Sequence, residues 1–279
     1  MKKVDLHFHS NYSDGELGLE ALVQLAADNQ VELMSLTDHD SVAGYPDFIN
    51  LAGEKGIRVL CGIECSVTWM SQELHIIGLG VDYSHDSLLS YLAVQKAQRL
   101  VRAKNIALKL EKIGFEHCFD KVCELATHEN ISRTHFAKLL VEHYRVKDLR
   151  TAFKNYLGSN GAAYERSQWL NMQETIAVIL NSGGVAILAH PLHYSLSTGQ
   201  LKGLVKAFKE HKGTALEVVT GYQQQKDINK LANLCHIFNL QASTGSDFHK
   251  PTAFKSSLGQ QSQLPDNLKP VWQELTSQC

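Results

Sequence analysis

Two histidines separated by a single residue, His7 and His9, are the first side chains of the sequence that could do metal chemistry. Side chains alternate between the two faces of an extended strand, so both imidazoles are predicted to point the same way, with Leu6 and Phe8 packed on the other side. Two imidazoles on one face supply half of the ligands that a divalent metal ion needs. The other ligands must come from more distant parts of the chain.

Candidate ligands recur near the ends of later strands. Five further segments are short, apolar and typical of strands: Glu32–Thr37, Ile57–Ile63, Glu73–Gly78, Val185–Ala189 and Gln241–Ser246. These segments run into or contain Asp38 and His39, Glu64, His75, His190, and Asp247 with His249. Asp14 follows His9 in the first loop and adds another carboxylate.

Amphipathic helices, such as the one predicted over Gly18–Asn29, separate most of these strands. Strands that alternate with helices predict an α/β fold in which helices cover a parallel sheet. Polar residues at the C-terminal ends of such strands belong to the active-site rim, in barrels and open sheets alike. The candidate ligands are therefore expected to meet at one end of the sheet.

Length and composition are consistent with one large domain that carries an insertion, because 279 residues with 44% apolar content can bury a substantial core. The six cysteines contain no Cys-x-x-Cys pair, and no secretory signal or long apolar run is present. These features predict a reduced, cytoplasmic protein that needs no disulfide and has no membrane partner. A net charge of −2 gives no general attraction to nucleic acid, so anion binding must be local. Composition leaves the oligomeric state open.

Histidine is the unusual component of the composition, with 14 residues. Six of them lie at the predicted strand ends: His7, His9, His39, His75, His190 and His249. A lone histidine near a strand end is usually a hydrogen-bonded surface or core residue, but six at equivalent positions beside Asp14, Glu64 and Asp247 predict one metal cluster. Imidazole and carboxylate ligands without thiolate suit Mn²⁺, Fe²⁺ or Zn²⁺.

These motifs, together with Ala189-His190-Pro191 and Gly245-Ser246-Asp247-Phe248-His249, resemble the polymerase and histidinol phosphatase (PHP) family of metal-dependent phosphoesterases. The resemblance implies a distorted barrel of seven strands and helices with three divalent ions, Mn²⁺ foremost, in its mouth. It also implies three ligand sets: His7, His9, Glu64 and Asp247 for one ion; a bridging Glu64 with His75 and His190 for the second; and Asp14, His39 and His249 for the third.

Clustered dications can activate a water molecule and clamp the oxygens of a phosphate ester, so the reaction needs no protein nucleophile. The sequence offers none, because it has no Gly-x-Ser-x-Gly elbow and no cysteine in a context typical of a catalytic thiolate. Glycine-rich phosphate loops are also absent from the sequence.

The alternation of strands and helices is interrupted between His75 and His190. Residues 86–161 are predicted to be a helical insertion over the barrel mouth, with the barrel formed by residues 1–85 and 162–279. The predicted helices of this insertion cover Leu88–Gly114, Phe119–Thr127, Arg133–Glu142 and Lys147–Tyr156.

Two features of the insertion could meet an anionic substrate. The helix around residues 96–112 carries six basic residues, a run that is usually a solvated helix face: Lys96, Arg99, Arg102, Lys104, Lys109 and Lys112. Ser132 is predicted to cap the next helix and to place Arg133 and His135 in its positively polarised first turn, which would suit a phosphate. The alternative for Arg133 is a solvated side chain on an ordinary capped helix.

The segment around Arg133 and His135 is similar to one in PHP enzymes that act on nucleotides with a 3′ and a 5′ phosphate. The resemblance therefore implies Arg133, His135 and His193 as substrate contacts and His135 as a proton donor, although its alternative is a structural hydrogen bond. His193 stands where that subgroup often has arginine, and imidazole lacks the fixed fork of guanidinium.

The implied activity is hydrolysis of the 3′-phosphate of nucleoside 3′,5′-bisphosphates, removal of nucleotides from 5′-phosphorylated RNA in the 5′-to-3′ direction, or both. Histidinol phosphatase activity is an alternative within the same class. A metal-binding or RNA-binding module without catalysis is an alternative from another class, and the complete set of nine metal-competent residues argues against it.

Overall fold

The computed structural model describes residues 3–128, 130–251 and 257–275. Its strands are β1 (Lys3–Phe8), β2 (Val31–Leu36), β3 (Arg58–Val59), β4 (Gly62–Trp69), β5 (Gln72–Leu79), β6 (Val185–Leu188), β7 (Ala215–Thr220) and β8 (Gln241–Gly245). Its α-helices are α1 (Leu19–Asp28), α2 (Tyr45–Glu54), α3 (Asp86–Lys112), α4 (Cys118–Leu125), α5 (Arg133–Tyr144), α6 (Leu149–Ala152), α7 (Met172–Asn181), α8 (Thr198–Glu210) and α9 (Gln225–Phe238). A π-helical turn follows α6 at Phe153–Leu157, and a 3₁₀ turn covers Val271–Gln273.

The described strands form two sheets, which confirms the α/β fold but corrects the prediction of a wholly parallel sheet. β1, β2 and β3 are parallel, and so are β6, β7 and β8. β5 runs antiparallel to both of its neighbours, β4 and β6. The reason is local, because only Met70 and Ser71 separate β4 from β5, and a two-residue loop can join only antiparallel strands.

Short parallel bridges connect the two sheets at the ends where the candidate ligands lie. Phe8 pairs with Phe248, and His39 pairs with Glu64. The N–H of Asp247 also donates to the carbonyl of His7 at 2.7 Å. β1 is thereby held next to β8, and the end of β2 next to β4.

The apolar core is divided between the sheets and the helical segment. The largest cluster packs helices such as α1, α2, α8 and α9 against the strands, and a second one is built mainly from strand residues that include Leu6, Ile77 and Ile187. The segment between β5 and α7 has a cluster of its own, which includes Ile106, Phe136 and Leu140.

The predicted bounds of α1, α3, α4 and α5 agree with the structure to within a few residues, but one strand was missed. β7 was not predicted, and β4 begins at Gly62, so Glu64 lies inside a strand rather than after one. The predicted helix over Lys147–Tyr156 is instead a short α-helix followed by the π-helical turn.

Cys61 is buried just before β4, and the prediction that the chain needs no disulfide stays a prediction. Four other described cysteines are free: Cys65, Cys118, Cys123 and Cys235. In the described part of the chain, no helix has the length and apolar character required to span a membrane.

Candidate metal centre

The ends of the strands bring all nine predicted ligands into one cluster. His7 is in β1 and His9 follows it directly, while His39 follows β2 and Glu64 lies in β4. His75 is in β5, His190 follows β6, and Asp247 and His249 follow β8. Asp14, from the loop between β1 and α1, completes the set. Both imidazoles of the opening pair face the cluster, and their Nε2 atoms are 3.2 Å apart.

Glu64 is the centre of the cluster, and its side chain is buried. Five imidazoles lie within 3.3 Å of its two carboxylate oxygens. Oε1 contacts His190 at 2.8 Å and His75 at 3.0 Å. Oε2 contacts His39 at 3.0 Å, His9 at 3.2 Å and His7 at 3.3 Å. A carboxylate with partners at both oxygens can bridge two cations.

Two further carboxylates flank Glu64. Asp247 Oδ1 lies 3.5 Å from the Nε2 atoms of both His7 and His9. Asp14 Oδ1 lies 3.3 Å from His249 and 3.7 Å from His39. The donor atoms form four overlapping groups in which all atoms lie within 4.8 Å of one another: His9, Asp14, His39 and His249; His7, Glu64 and His190; His7, His9 and Asp247; and His39, Glu64 and His75.

The donor atoms fit divalent metal ions. Asp14 Oδ1 and Glu64 Oε2 are buried without a hydrogen-bond donor among the described residues, and both point at the imidazoles of the cluster. An orphaned buried carboxylate oxygen is costly unless a cation compensates it. Imidazole nitrogen and carboxylate oxygen without thiolate are the ligands that Mn²⁺, Fe²⁺ and Zn²⁺ accept.

Two of the candidate ligands have strained backbones. His190 has φ of 28° and Asp247 has φ of 50°, in the left-handed region that costs non-glycine residues about 1–3 kcal/mol each. Hydrogen bonds hold both conformations, because the His190 N–H donates to Glu217 at 2.7 Å and the Asp247 N–H donates to the His7 carbonyl at 2.7 Å. The left-handed backbone directs the side chains of His190 and Asp247 into the cluster, a direction that regular strand geometry would not give them.

Glu217, in the unpredicted strand β7, is a residue of the candidate site that the sequence did not predict. It is fully buried, and its Oε1 lies 2.9 Å from His7 Nδ1. A carboxylate on the far nitrogen of a metal-binding histidine fixes the ring orientation and leaves Nε2 free for a metal. The sequence does contain a pattern that could have indicated Glu217: it is the one charged residue in the mainly apolar run Ala215–Thr220.

The cluster holds opposite charges before any metal binds. Burial alone would lower the pKa of His7 and His9, but the nearby carboxylates outweigh it and raise the pKa of His9 to about 10 and that of His7 well above its usual value. Burial disfavours the charged forms of Asp14, Glu64 and Asp247, yet the imidazoles hold the pKa of each carboxyl well below its usual range.

Metal binding is therefore expected to release protons. At pH 7 His9, with a pKa of about 10, carries a proton that a metal ion must displace, since only the free lone pair coordinates. Mn²⁺ affinity should consequently rise as the pH increases from 6.5 towards 10. Calorimetry at pH 7 in two buffers of different ionisation enthalpy should give different heats, corresponding to about one proton or more per chain. Equal heats in both buffers would contradict the protonated cluster.

A cavity of about 310 Å³ opens over the cluster. One side is lined by Glu64, His75, His190 and Asp247, and the other by basic and aromatic residues that include Arg99, Arg102, Arg133, Phe153 and Trp169.

Arg99 and Arg102 are 5% and 7% exposed, so the interpretation of the α3 basic run as a solvated face is wrong for these two. They lie on the face of α3 that turns towards the sheet.

The predicted substrate contacts differ in position. Arg133 and His193 line the cavity; Arg133 Nη2 lies 3.0 Å from Glu73 Oε2, and the His193 ring stacks on His190 with centroids 5.0 Å apart. His135 is buried, and its Nδ1 accepts the Ser132 N–H at 3.0 Å in a reciprocal capping box. Burial lowers the pKa of His135 to about 4, so its imidazole is neutral at pH 7.

Comparison with known proteins gives a consistent family assignment. A model of the family described as the PHP domain matches residues 5–253. A 3′,5′-nucleoside bisphosphate phosphatase of Chromobacterium violaceum is 37% identical over 276 residues, 99% of this chain and 97% of the relative. The 5′-3′ exoribonuclease Rnm of Escherichia coli is 38% identical over 271 residues, 96% of this chain and 92% of the relative.

A solved structure from the same Chromobacterium species, described as an amidohydrolase with bound sulfate and no metal, superposes with a TM-score of 0.92. It is 36% identical, and the superposition covers 98% of this chain and 95% of that one. Family model, full-length relatives and superposed structure agree, and the chain belongs to the PHP domain family.

Proposed function

We propose that this chain is a metal-dependent phosphoesterase that hydrolyses the 3′-phosphate of nucleoside 3′,5′-bisphosphates, removes nucleotides from 5′-phosphorylated RNA in the 5′-to-3′ direction, or does both. The observation that carries this proposal is the Glu64-centred cluster at the floor of an arginine-lined cavity. The full-length relatives are named for the same two activities, which favours this proposal over a histidinol phosphatase.

The proposal assigns three divalent ions to the cluster, with Mn²⁺ foremost and Fe²⁺ or Zn²⁺ as alternatives. His7, His9, Glu64 and Asp247 would hold one ion. Glu64 would bridge to a second ion with His75 and His190, and Asp14, His39 and His249 would hold the third. Bound ions would supply Lewis-acid activation of water and charge neutralisation of the phosphate. The short contacts of Glu64 to five imidazoles support its bridging role.

The residues opposite the cluster would bind and orient the substrate. Arg133 lies at the cavity wall, where its guanidinium could exchange Glu73 for a phosphate oxygen. His193 lies beside His190 and could donate a hydrogen bond to the same group. His135 would carry its proton on Nε2, because Nδ1 accepts the Ser132 N–H, and we propose that this N–H donates a hydrogen bond to the leaving-group oxygen. Full proton transfer would require the imidazolium form of His135, which a pKa of about 4 makes scarce at pH 7.

The proposed architecture is a distorted seven-stranded barrel formed by residues 1–85 and 162–279, with a helical insertion of residues 86–161 over its mouth. The parallel bridges between Phe8 and Phe248 and between His39 and Glu64 support a circular order β1-β2-β4-β5-β6-β7-β8. The separate apolar cluster of the insertion supports the division. A cytoplasmic location completes the proposal and rests on the sequence alone.

The protein loaded with Mn²⁺ is expected to release phosphate from 3′-phosphoadenosine 5′-phosphate, or nucleotides from a short 5′-phosphorylated RNA, and to leave histidinol phosphate intact. Product release from the three substrates, followed side by side, tests this directly. Turnover of histidinol phosphate alone would favour the alternative phosphatase. If none of the three is hydrolysed while RNA still binds, and His7→Ala leaves that binding unchanged, the chain is a binding module.

A further inference from the structure

Three charged side chains lie just beyond one edge of the cavity: Glu16, Lys138 and Lys250. They do not line the cavity themselves, but a lining residue closely precedes each of them in the chain. These lining residues are Asp14, Thr134 and His249, which come two, four and one positions earlier. Thr134 and Lys138 are one turn apart on α5 and therefore share a helix face. The three charged residues form a lysine rim next to the metal cluster.

Hydrogen bonds hold this lysine rim against the candidate ligands. The Thr134 hydroxyl donates to Asp14 Oδ2 at 3.0 Å, which fixes the first turn of α5 over the cluster. The Glu16 N–H donates to the His249 carbonyl at 2.7 Å, which ties the loop after β1 to the loop after β8. The backbone of the rim is therefore positioned by the same contacts that position Asp14 and His249.

The lysine rim carries more positive than negative charge. Lys138 Nζ and Lys250 Nζ lie 3.5 and 3.3 Å from the same atom, Glu16 Oε1. Over the described ranges of the chain, no other carboxylate lies within 4 Å of either lysine. Two ammonium groups thus share one carboxylate, although the whole protein has a net charge of −2. Glu16 is exposed and the lysines are partly exposed, and such pairs are weak enough for an incoming phosphate to replace the carboxylate.

A substrate longer than one nucleotide must extend beyond the cavity. The cavity volume of about 310 Å³ is at the lower end of the range for pockets that enclose small molecules, about 300–1,000 Å³. The wall of Arg99, Arg102 and Trp169 is buried, whereas the lysine rim is accessible to solvent. An RNA whose first linkage lies at the metal cluster can therefore leave over the lysine rim. Exposed cations bind a single strand through its phosphates without regard to sequence.

We propose that Lys138 and Lys250 bind the phosphate that follows the scissile linkage of a 5′-phosphorylated RNA, towards its 3′ end. The inference rests on the proposed function and names RNA of three or more nucleotides as the substrate that this surface recognises. Glu16 competes with that phosphate: it pairs with both ammonium groups in the free protein and is displaced when RNA binds. A mononucleotide bisphosphate has no phosphate at this position.

The test uses the Mn²⁺-loaded protein and two 5′-phosphorylated adenosine trinucleotides. They differ only in the second linkage, which is a phosphodiester in one and an uncharged methylphosphonate in the other. We expect wild-type kcat/KM for cleavage of the first linkage to favour the charged trinucleotide by about 5- to 30-fold, as two exposed ion pairs allow.

The variants should move this ratio in opposite directions. In the double variant Lys138→Met with Lys250→Met, the ratio should fall to about one, and kcat/KM for the charged trinucleotide should depend less steeply on salt concentration. Glu16→Gln should raise the ratio, because the lysines lose their competing carboxylate. A decrease in Glu16→Gln would contradict this competition.

Lys206→Met is the matched control, because Lys206 is an exposed lysine of α8 that also pairs with a carboxylate and does not line the cavity. It should keep the wild-type ratio. A wild-type ratio of one, or an unchanged ratio in the double variant, would overturn the inference. Cleavage of 3′-phosphoadenosine 5′-phosphate but of neither trinucleotide would also overturn it, while upholding the proposed function. Hydrolysis of none of the three would overturn the proposed function itself.

Discussion

Glu64→Gln is expected to lower kcat/KM by about three orders of magnitude or more, which corresponds to about 4 kcal/mol of transition-state stabilisation. The amide keeps the shape of the side chain but removes the charge that five imidazoles share within 3.3 Å. Its NH₂ group would also present hydrogen atoms where a cation must bind. Bound Mn²⁺, measured by elemental analysis after dialysis, should fall together with activity.

The matched control for this substitution is Glu210→Gln at the last turn of α8. Glu210 is exposed and pairs only weakly with Lys206, 3.8 Å away. Removing its charge should leave activity and metal content within about twofold of wild type, as is usual for surface pairs. A Glu64→Gln protein that keeps both its metal content and more than a tenth of its activity would exclude a central bridging role for Glu64.

Gly245→Ala is expected to destabilise the protein by about 1–3 kcal/mol or more and to displace His7 from the cluster. A Cβ at Gly245 would collide with His7 Cβ and lie 2.8 Å from the His7 backbone nitrogen and 3.0 Å from Glu217 Oε1. Neither backbone nor buried carboxylate can move without disturbing the contact between β1 and β8. The unfolding free energy from denaturant titration and the Mn²⁺ content should therefore fall together.

Gly203→Ala provides the contrast, because Gly203 lies in the middle of α8 and a Cβ there would meet no atom within 4 Å. Alanine should stabilise this exposed helical position by about 0.5–1 kcal/mol. If Gly245→Ala proved as stable as wild type with a full metal complement, the close approach of β1, β7 and β8 would not be what positions His7.

The sequence by itself determined the identity of the candidate ligands and the family. Histidines and carboxylates after apolar strands are visible without a structure, because strand period and strand ends are local properties of the chain. The helices α1, α3, α4 and α5 were predicted for the same reason, and Ser132 was correctly predicted to cap α5. The family prediction is confirmed by the match over residues 5–253.

Only the tertiary structure decided which charged residues are buried and what they contact. Glu217 approaches His7 across 210 positions of sequence, and Arg99 and Asp40 meet between α3 and the end of β2. A run of basic residues on a helix has the same sequence pattern whether that face meets water or a cavity. The burial of Arg102 therefore could not be predicted from the sequence. Burial and pairing depend on which distant surfaces meet, and that is set by the packing of the whole chain rather than by any one segment.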